Sequence, residues 1–190
     1  MKSRLTYASV LTTLHVLLAS FFMPMGIMYL VTGGLYTMGI RGSYREEQHD
    51  VTVARVPEAD LPAVLALAAS ELDARGITHP TGAARIQRIG ASWQFEWTGS
   101  NRDVVLRPTD NPSAMAMTVK NTTPYRRFVQ LHKAKGGWGF KLLAVAWSVG
   151  LLSLLVSGYL LAWRPPHLRR MTATATLAGI VVFAAYVWWG

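Results

Sequence analysis

The sequence contains no cysteine, and no acidic residue lies outside the stretch from Glu46 to Asp110. Without thiols the chain can form no disulfide, no thiolate metal site and no cysteine-held iron–sulfur cluster. Charge of either sign is scarce: 15% of the 190 residues are charged, against roughly a quarter in a soluble domain. Three stretches have none at all, namely 36 residues between Arg4 and Arg41, 22 between Lys141 and Arg164, and 20 after Arg170. A helix rising 1.5 Å per residue needs about 20 apolar residues to cross a hydrocarbon core of about 30 Å. Each stretch is long enough, so the sequence reads as a membrane protein with three transmembrane helices. Also missing are a Gly-rich phosphate loop, a nucleophile elbow and a zinc motif of the HExxH kind. The carboxylates are scattered and read as solvated charges, so nothing supports catalysis by the chain itself. There is no internal repeat and no low-complexity tract.

What is present divides into three parts. Residues 1–40 hold a short N-terminus and the first span (within 7–38), 41–138 form a soluble domain, and 139–190 carry the second span (140–163) and the third (171–189). A cleaved signal peptide is the competing reading of the N-terminus, but an apolar h-region is normally shorter than this one, which continues far beyond Ser20. Pro24 near the middle of the first run suggests a kink, and Gly33, Gly34 and Gly39 suggest a loose or closely packed end. The net charge of +9 is shared among membrane-flanking tails and one small domain. Phospholipid headgroups therefore explain it better than nucleic acid does. Lys2, Arg4, Arg164, Arg169 and Arg170 fall on one side of the spans, with no acidic residue among them, and place that side in the cytoplasm. Arg126, Arg127, Lys133, Lys135 and Lys141 at the outer end of the second span pull the other way.

The soluble segment shows a coarse β-α-β-β-β pattern, a small α+β fold inserted between the first two spans. DVTVARV (50–56) alternates as a strand. Asp60 is a candidate N-cap, Pro62 suits a first turn and Gly76 a helix end. Between them Leu61, Val64, Leu65, Ala68 and Leu72 make one apolar stripe. ARIQRIG (84–90) and SWQFEWT (92–98) follow, and in the second Trp93, Phe95 and Trp97 point one way, into a core. DVVLRP and AMAMTVK read as a further strand pair joined by the turn TDNPS.

Histidine is the residue type that could carry chemistry. His49 and His79 sit in polar linkers and read as exposed, and His167 lies in the basic turn. His15 is inside an apolar span, where an ionisable side chain normally faces protein. Gly26 and Gly33 share its helix face, and Gly150, Ser153 and Ser157 form a small-residue face in the second span, so these faces are expected to pack together. Two readings of His15 stand: a hydrogen bond to a neighbouring helix, or ligation of haem iron. His132 precedes the second span, some 30 Å from His15 if both spans are helical. The two cannot hold one iron together, and the third span has no histidine. A haem-binding form would need a homodimer or a partner subunit. Around His132, Lys133, Lys135, Trp138 and Lys141 read as an interfacial collar, with Trp163 and Arg164 marking the opposite end of the span.

The order of these features resembles the PepSY-associated transmembrane family. The resemblance is carried by Leu131, His132, Gly136, Gly137, Lys141, Ser157, Gly158 and Trp163, and more loosely by Leu14-His15 and Thr32-Gly33. It implies a bacterial inner-membrane protein with a periplasmic PepSY-like domain. Larger relatives bind haem b and reduce ferric siderophores during iron uptake, which would make His15 and His132 axial ligands. Isolated PepSY domains are associated with binding or inhibiting peptidases. The chain is shorter than those reductases and has one soluble unit. The resemblance therefore points first to an accessory or partner-binding subunit, and second to a haem b electron-transfer subunit.

Overall fold

Backbone polar groups in a bilayer must be bonded within their own segment, which leaves a long apolar run little choice but helix. A computed structural model describes residues 7–90 and 92–189. Its elements are α1 (Tyr7–Thr37), β1 (Tyr44–Thr52), α2 (Leu61–Ala74), β2 (Ala84–Ile89), β3 (Ser92–Trp97), β4 (Arg102–Pro108), β5 (Ala114–Thr122), α3 (Pro124–His132), α4 (Trp138–Trp163) and α5 (Pro166–Trp189). Among the described residues three helices, α1, α4 and α5, are long and apolar enough to cross a membrane. Pro24 lies inside α1, which is one uninterrupted helix. Lys2 and Arg4, used above for orientation, lie outside the described residues. The chain divides into two units, residues 7–26 with 145–189, and residues 27–144.

The second unit is built on a five-stranded antiparallel sheet in the order β1-β5-β4-β3-β2. The topology is thus β-α-β-β-β-β: each of the five segments read as strands corresponds to one, and the shorthand β-α-β-β-β counted one too few. α2 covers one face. Asp60 caps it, its carboxylate accepting from the Ala63 N–H at 3.2 Å, and Gly76 leaves it at φ +65°. Its stripe buries Val64, Ala68 and Leu72 against Phe95, Leu106 and Met117. Trp93 and Trp97 pack on that core beside fully buried Phe95, as the alternation of SWQFEW required.

Two sequence expectations need correction. The first strand spans 44–52, not 50–56. It pairs with β5 from Tyr44 opposite Thr122 to Thr52 opposite Ala114. Backbone pairing makes few demands on side chains at a sheet edge, where charged residues are favoured, so YREEQHDVT serves as strand. Val53 and Val56 reach the core from the loop beyond it. His49 therefore stands in β1 opposite Met117, half-buried, with a buried Nε2. His79 is exposed as expected, its Nε2 at 2.9 Å from Asp73.

α3, which periodicity did not single out, ends at Lys133 and is followed by Ala134 at φ +56°. A left-handed conformation costs an L-residue roughly 1–2 kcal/mol and costs glycine almost nothing. Ala134→Gly should therefore stabilise this unit by about 1 kcal/mol. A shift of the denaturation midpoint of the full chain in detergent measures it, and a midpoint that falls would show that the strain is absent.

Candidate functional site

His15 and His132 each meet a hydroxyl. In the first unit His15 Nδ1 lies 2.8 Å from Ser157 Oγ. Ser157 is buried on α4, and its own proton goes to the Ser153 carbonyl at 2.6 Å. In the second unit His132 Nδ1 lies 2.7 Å from Thr32 Oγ1, and Thr32 donates to the Met28 carbonyl at 2.5 Å. A hydroxyl has one proton, and a carbonyl can only accept. With each hydroxyl proton committed to its own helix, the imidazole is the donor in both pairs. A neutral imidazole in this arrangement carries its hydrogen on Nδ1 and leaves the Nε2 lone pair available to a ligand. No residue among those described bonds either Nε2.

The surroundings differ. His15 lines an apolar groove of about 510 Å³ formed by Leu11, Leu14, Leu18, Leu152, Val156 and Leu160. Gly158 lets α4 approach, since a Cβ there would come within 3.4 Å of His15 Cε1. Gly150 is more sharply required: a Cβ would overlap the Phe22 ring. Gly26 lies near Trp147, and Ser153 is exposed, its hydroxyl bonded to the Val149 carbonyl. Gly33 belongs with the other histidine, because a Cβ there would stand 3.3 Å from His132 Cε1. The Tyr29 ring packs on His132 at 4.8 Å, and Thr32, Gly33, Tyr36, Thr37, Val129 and Lys133 join His132 around a cavity of about 290 Å³.

Of the collar residues, Trp138 and Lys141 are exposed or half-exposed in the first turn of α4, and Lys133 lies over the Tyr36 ring at 5.7 Å. Trp163 stacks on Tyr159 at 5.7 Å and its carbonyl accepts from Arg169 Nε, while Arg164 follows the end of α4, exposed. Lys135 is not free for headgroups: its ammonium is 3.4 Å from Asp103.

That contact belongs to a buried cluster that the sequence reading missed. Asp103, at the start of β4, accepts from the Gly99 N–H (3.1 Å) at Oδ1, and from the Tyr44 hydroxyl (2.8 Å), Gln130 Nε2 (3.0 Å) and Lys135 Nζ at Oδ2. Gln130 is fully buried and its Oε1 has no partner among the described residues. Tyr44 also accepts from Arg126 Nη2 at 2.9 Å. The cluster fixes α3, and with it His132, to the end of the sheet. An Asp beside two valines in DVVL, and a Gln between Val129 and Leu131, were the available signals.

Burial first, then the facing Asp103 carboxylate, push the Tyr44 phenol up from 10.0 to about 12, with Arg126 opposing. The fold thus holds a proton that the unfolded chain loses, and stability should fall as pH rises from about 10 to about 12. Tyrosinate absorbance checks this: the titration of Tyr44→Phe subtracted from that of the wild type should leave a transition near 12, and a transition near 10 would contradict it.

Comparison with known proteins adds no assignment to this geometry: no protein-family model matches the chain, and neither a curated protein nor a solved structure matches it significantly.

Proposed function

We propose that the chain is an accessory, partner-binding subunit of a bacterial inner membrane, of the PepSY-associated type. In this reading the N-terminus is cytoplasmic, the sheet domain is periplasmic, and each of two histidines supplies one half of a site that a second copy or another membrane protein completes. One observation carries it: His15 and His132 each have Nδ1 tied to a hydroxyl whose proton is spent on its own helix. An imidazole fixed through Nδ1 presents Nε2 in a defined direction, the arrangement by which ligating histidines are usually held. Each groove offers a single imidazole, so an occupant needing two ligands must draw the second from elsewhere.

The same observation favours a second reading, a haem b electron-transfer subunit in iron uptake. The residues fit one axial position at each histidine and no more. Haem would supply one-electron chemistry between ferric and ferrous iron, while the chain would hold each ring by Nε2 and fix the tautomer through Ser157 and Thr32.

Cross-linking in native membranes tests the first reading, with a discrete adduct larger than the chain as the expected result. His15→Ala and His132→Ala should each weaken that adduct. Recovery of the uncross-linked chain alone would defeat the proposal. For the second reading, protein made with ample haem is purified in detergent and its Soret absorbance recorded. A band lost in either alanine variant supports haem, and a colourless preparation removes it.

A further inference from the structure

Two cations of the second unit share one aromatic ring and, like several others in that unit, form no ion pair among the described residues. Lys135 is bonded to Asp103, and Arg126 to the Tyr44 hydroxyl and the Arg41 carbonyl. The two that share a ring are the Arg41 guanidinium and the Lys133 ammonium. Both lie against one ring, that of Tyr36, at 5.2 Å and 5.7 Å from its centre. Neither has a carboxylate within ion-pair distance among the described residues. Two like charges drawn to one ring repel each other, and a shared anion would offset that repulsion. Beside them is the cavity of about 290 Å³, whose lining of Thr32, Gly33, Tyr36, Thr37, Val129, His132 and Lys133 includes no acidic residue.

Its place in the chain narrows the anion. The lining residues Thr32 to Thr37 form the last turns of α1, where the apolar span ends. Lipid phosphates lie at that depth, and lysine and arginine at a span end reach them. Leu30, just before the cavity on α1 and close to the Thr37 side of it, is exposed and apolar, as a surface for an acyl chain requires. A free inorganic anion would need no such flank.

We propose that this cavity binds the phosphodiester headgroup of an anionic phospholipid, held by Lys133 in its lining and by Arg41 on the same Tyr36 ring, with an acyl chain along Leu30. The phosphate supplies the charge that the two cations lack, and the low-dielectric flank strengthens the attraction relative to open water. The headgroup needs no bond from His132 Nε2, but it fills the cavity that His132 lines, so lipid and a ligand on His132 would compete for it.

The test uses delipidated full-length protein in detergent, free of Soret absorbance, titrated with dioleoyl phosphatidylglycerol or dioleoyl phosphatidylcholine and read by native mass spectrometry. Retention of phosphatidylglycerol should exceed that of phosphatidylcholine by about tenfold, the scale of one or two charge-assisted bonds. The double variant R41Q/K133Q should lose this preference, whereas Lys141→Gln, a single charge change outside the cavity, should keep it. Lys133→Gln alone should reduce the preference part-way, which keeps the test open if the double variant does not fold. Equal retention of the two lipids, or a preference that survives removal of both cations, overturns the proposal. So does inorganic phosphate bound as tightly as phosphatidylglycerol and lost in the same variants, since the site would then serve the free ion.

Discussion

Asp103→Ala should lower the stability of the sheet-containing unit by about 3 kcal/mol, because it leaves two donors without an acceptor at once. The Asp103 carboxylate is 8% exposed and takes bonds from the Gly99 amide, the Tyr44 hydroxyl, the Gln130 amide and the Lys135 ammonium. Lys135 is partly exposed and can recover water, whereas the Tyr44 hydroxyl, which only accepts from Arg126, loses the acceptor of its own proton. The buried Gln130 amide keeps its bonds to the Tyr44 hydroxyl (3.0 Å) and the Gly99 carbonyl (3.5 Å). An unmet buried polar group costs about 1–3 kcal/mol, so the loss comes chiefly from the Gly99 N–H and the Tyr44 O–H. Asp103→Asn keeps one carbonyl acceptor but turns an NH₂ toward donors, and should cost about half as much. Pulse proteolysis of the full chain across a urea series measures both. A change below about 0.5 kcal/mol in Asp103→Ala would mean that the cluster does not hold α3 to the sheet.

Gly82→Ala should be as damaging, for a steric reason. A Cβ at residue 82 would overlap the Thr98 carbonyl oxygen and stand 3.0 Å from that of Lys135. Both are backbone atoms, so neither can swing aside as a side chain would. The Gly82 carbonyl also accepts from Trp97 Nε1 at 3.1 Å, and the neighbouring Thr81 and Ser100 hydroxyls are bonded to each other. Relief requires the segment before β2 to part from the ends of β3 and α3 together. Overpacking costs about 1–3 kcal/mol where side chains yield, and the upper end applies here. The same proteolysis reads it, and unchanged stability would show that the close approach does not exist. Glycine at 82 is a packing requirement rather than a conformational one, since its φ is not in the left-handed region.

The two variants probe the part of the molecule least legible in its sequence. Asp103 reads locally as one more charge in an antiparallel strand, where alternate residues face water. It is buried because α3, from further along the chain, supplies Gln130 above it. Gln130 in turn sits in a nine-residue helix whose apolar Phe128 is exposed while Gln130 is buried, so its amphipathic pattern points away from the covered side. Tyr44 completes the set from a strand whose polar sequence concealed that it was a strand. Local pattern finds elements that bury a regular stripe, and these three residues come from elements that do not.

The sequence by itself determined the three helices long and apolar enough to cross a membrane, the covered face of α2 and the inward side of β3. Each follows from a one-dimensional cause: charge-free length sufficient for a bilayer, a 3.6-residue apolar period, and a two-residue alternation. Tertiary structure alone decided that His15 meets Ser157, that His132 meets Thr32, and that Asp103 gathers donors from four separate segments. Those pairings depend on which faces of distant elements are brought within hydrogen-bond distance. A bond of about 3 Å tolerates errors far smaller than residue spacing can specify.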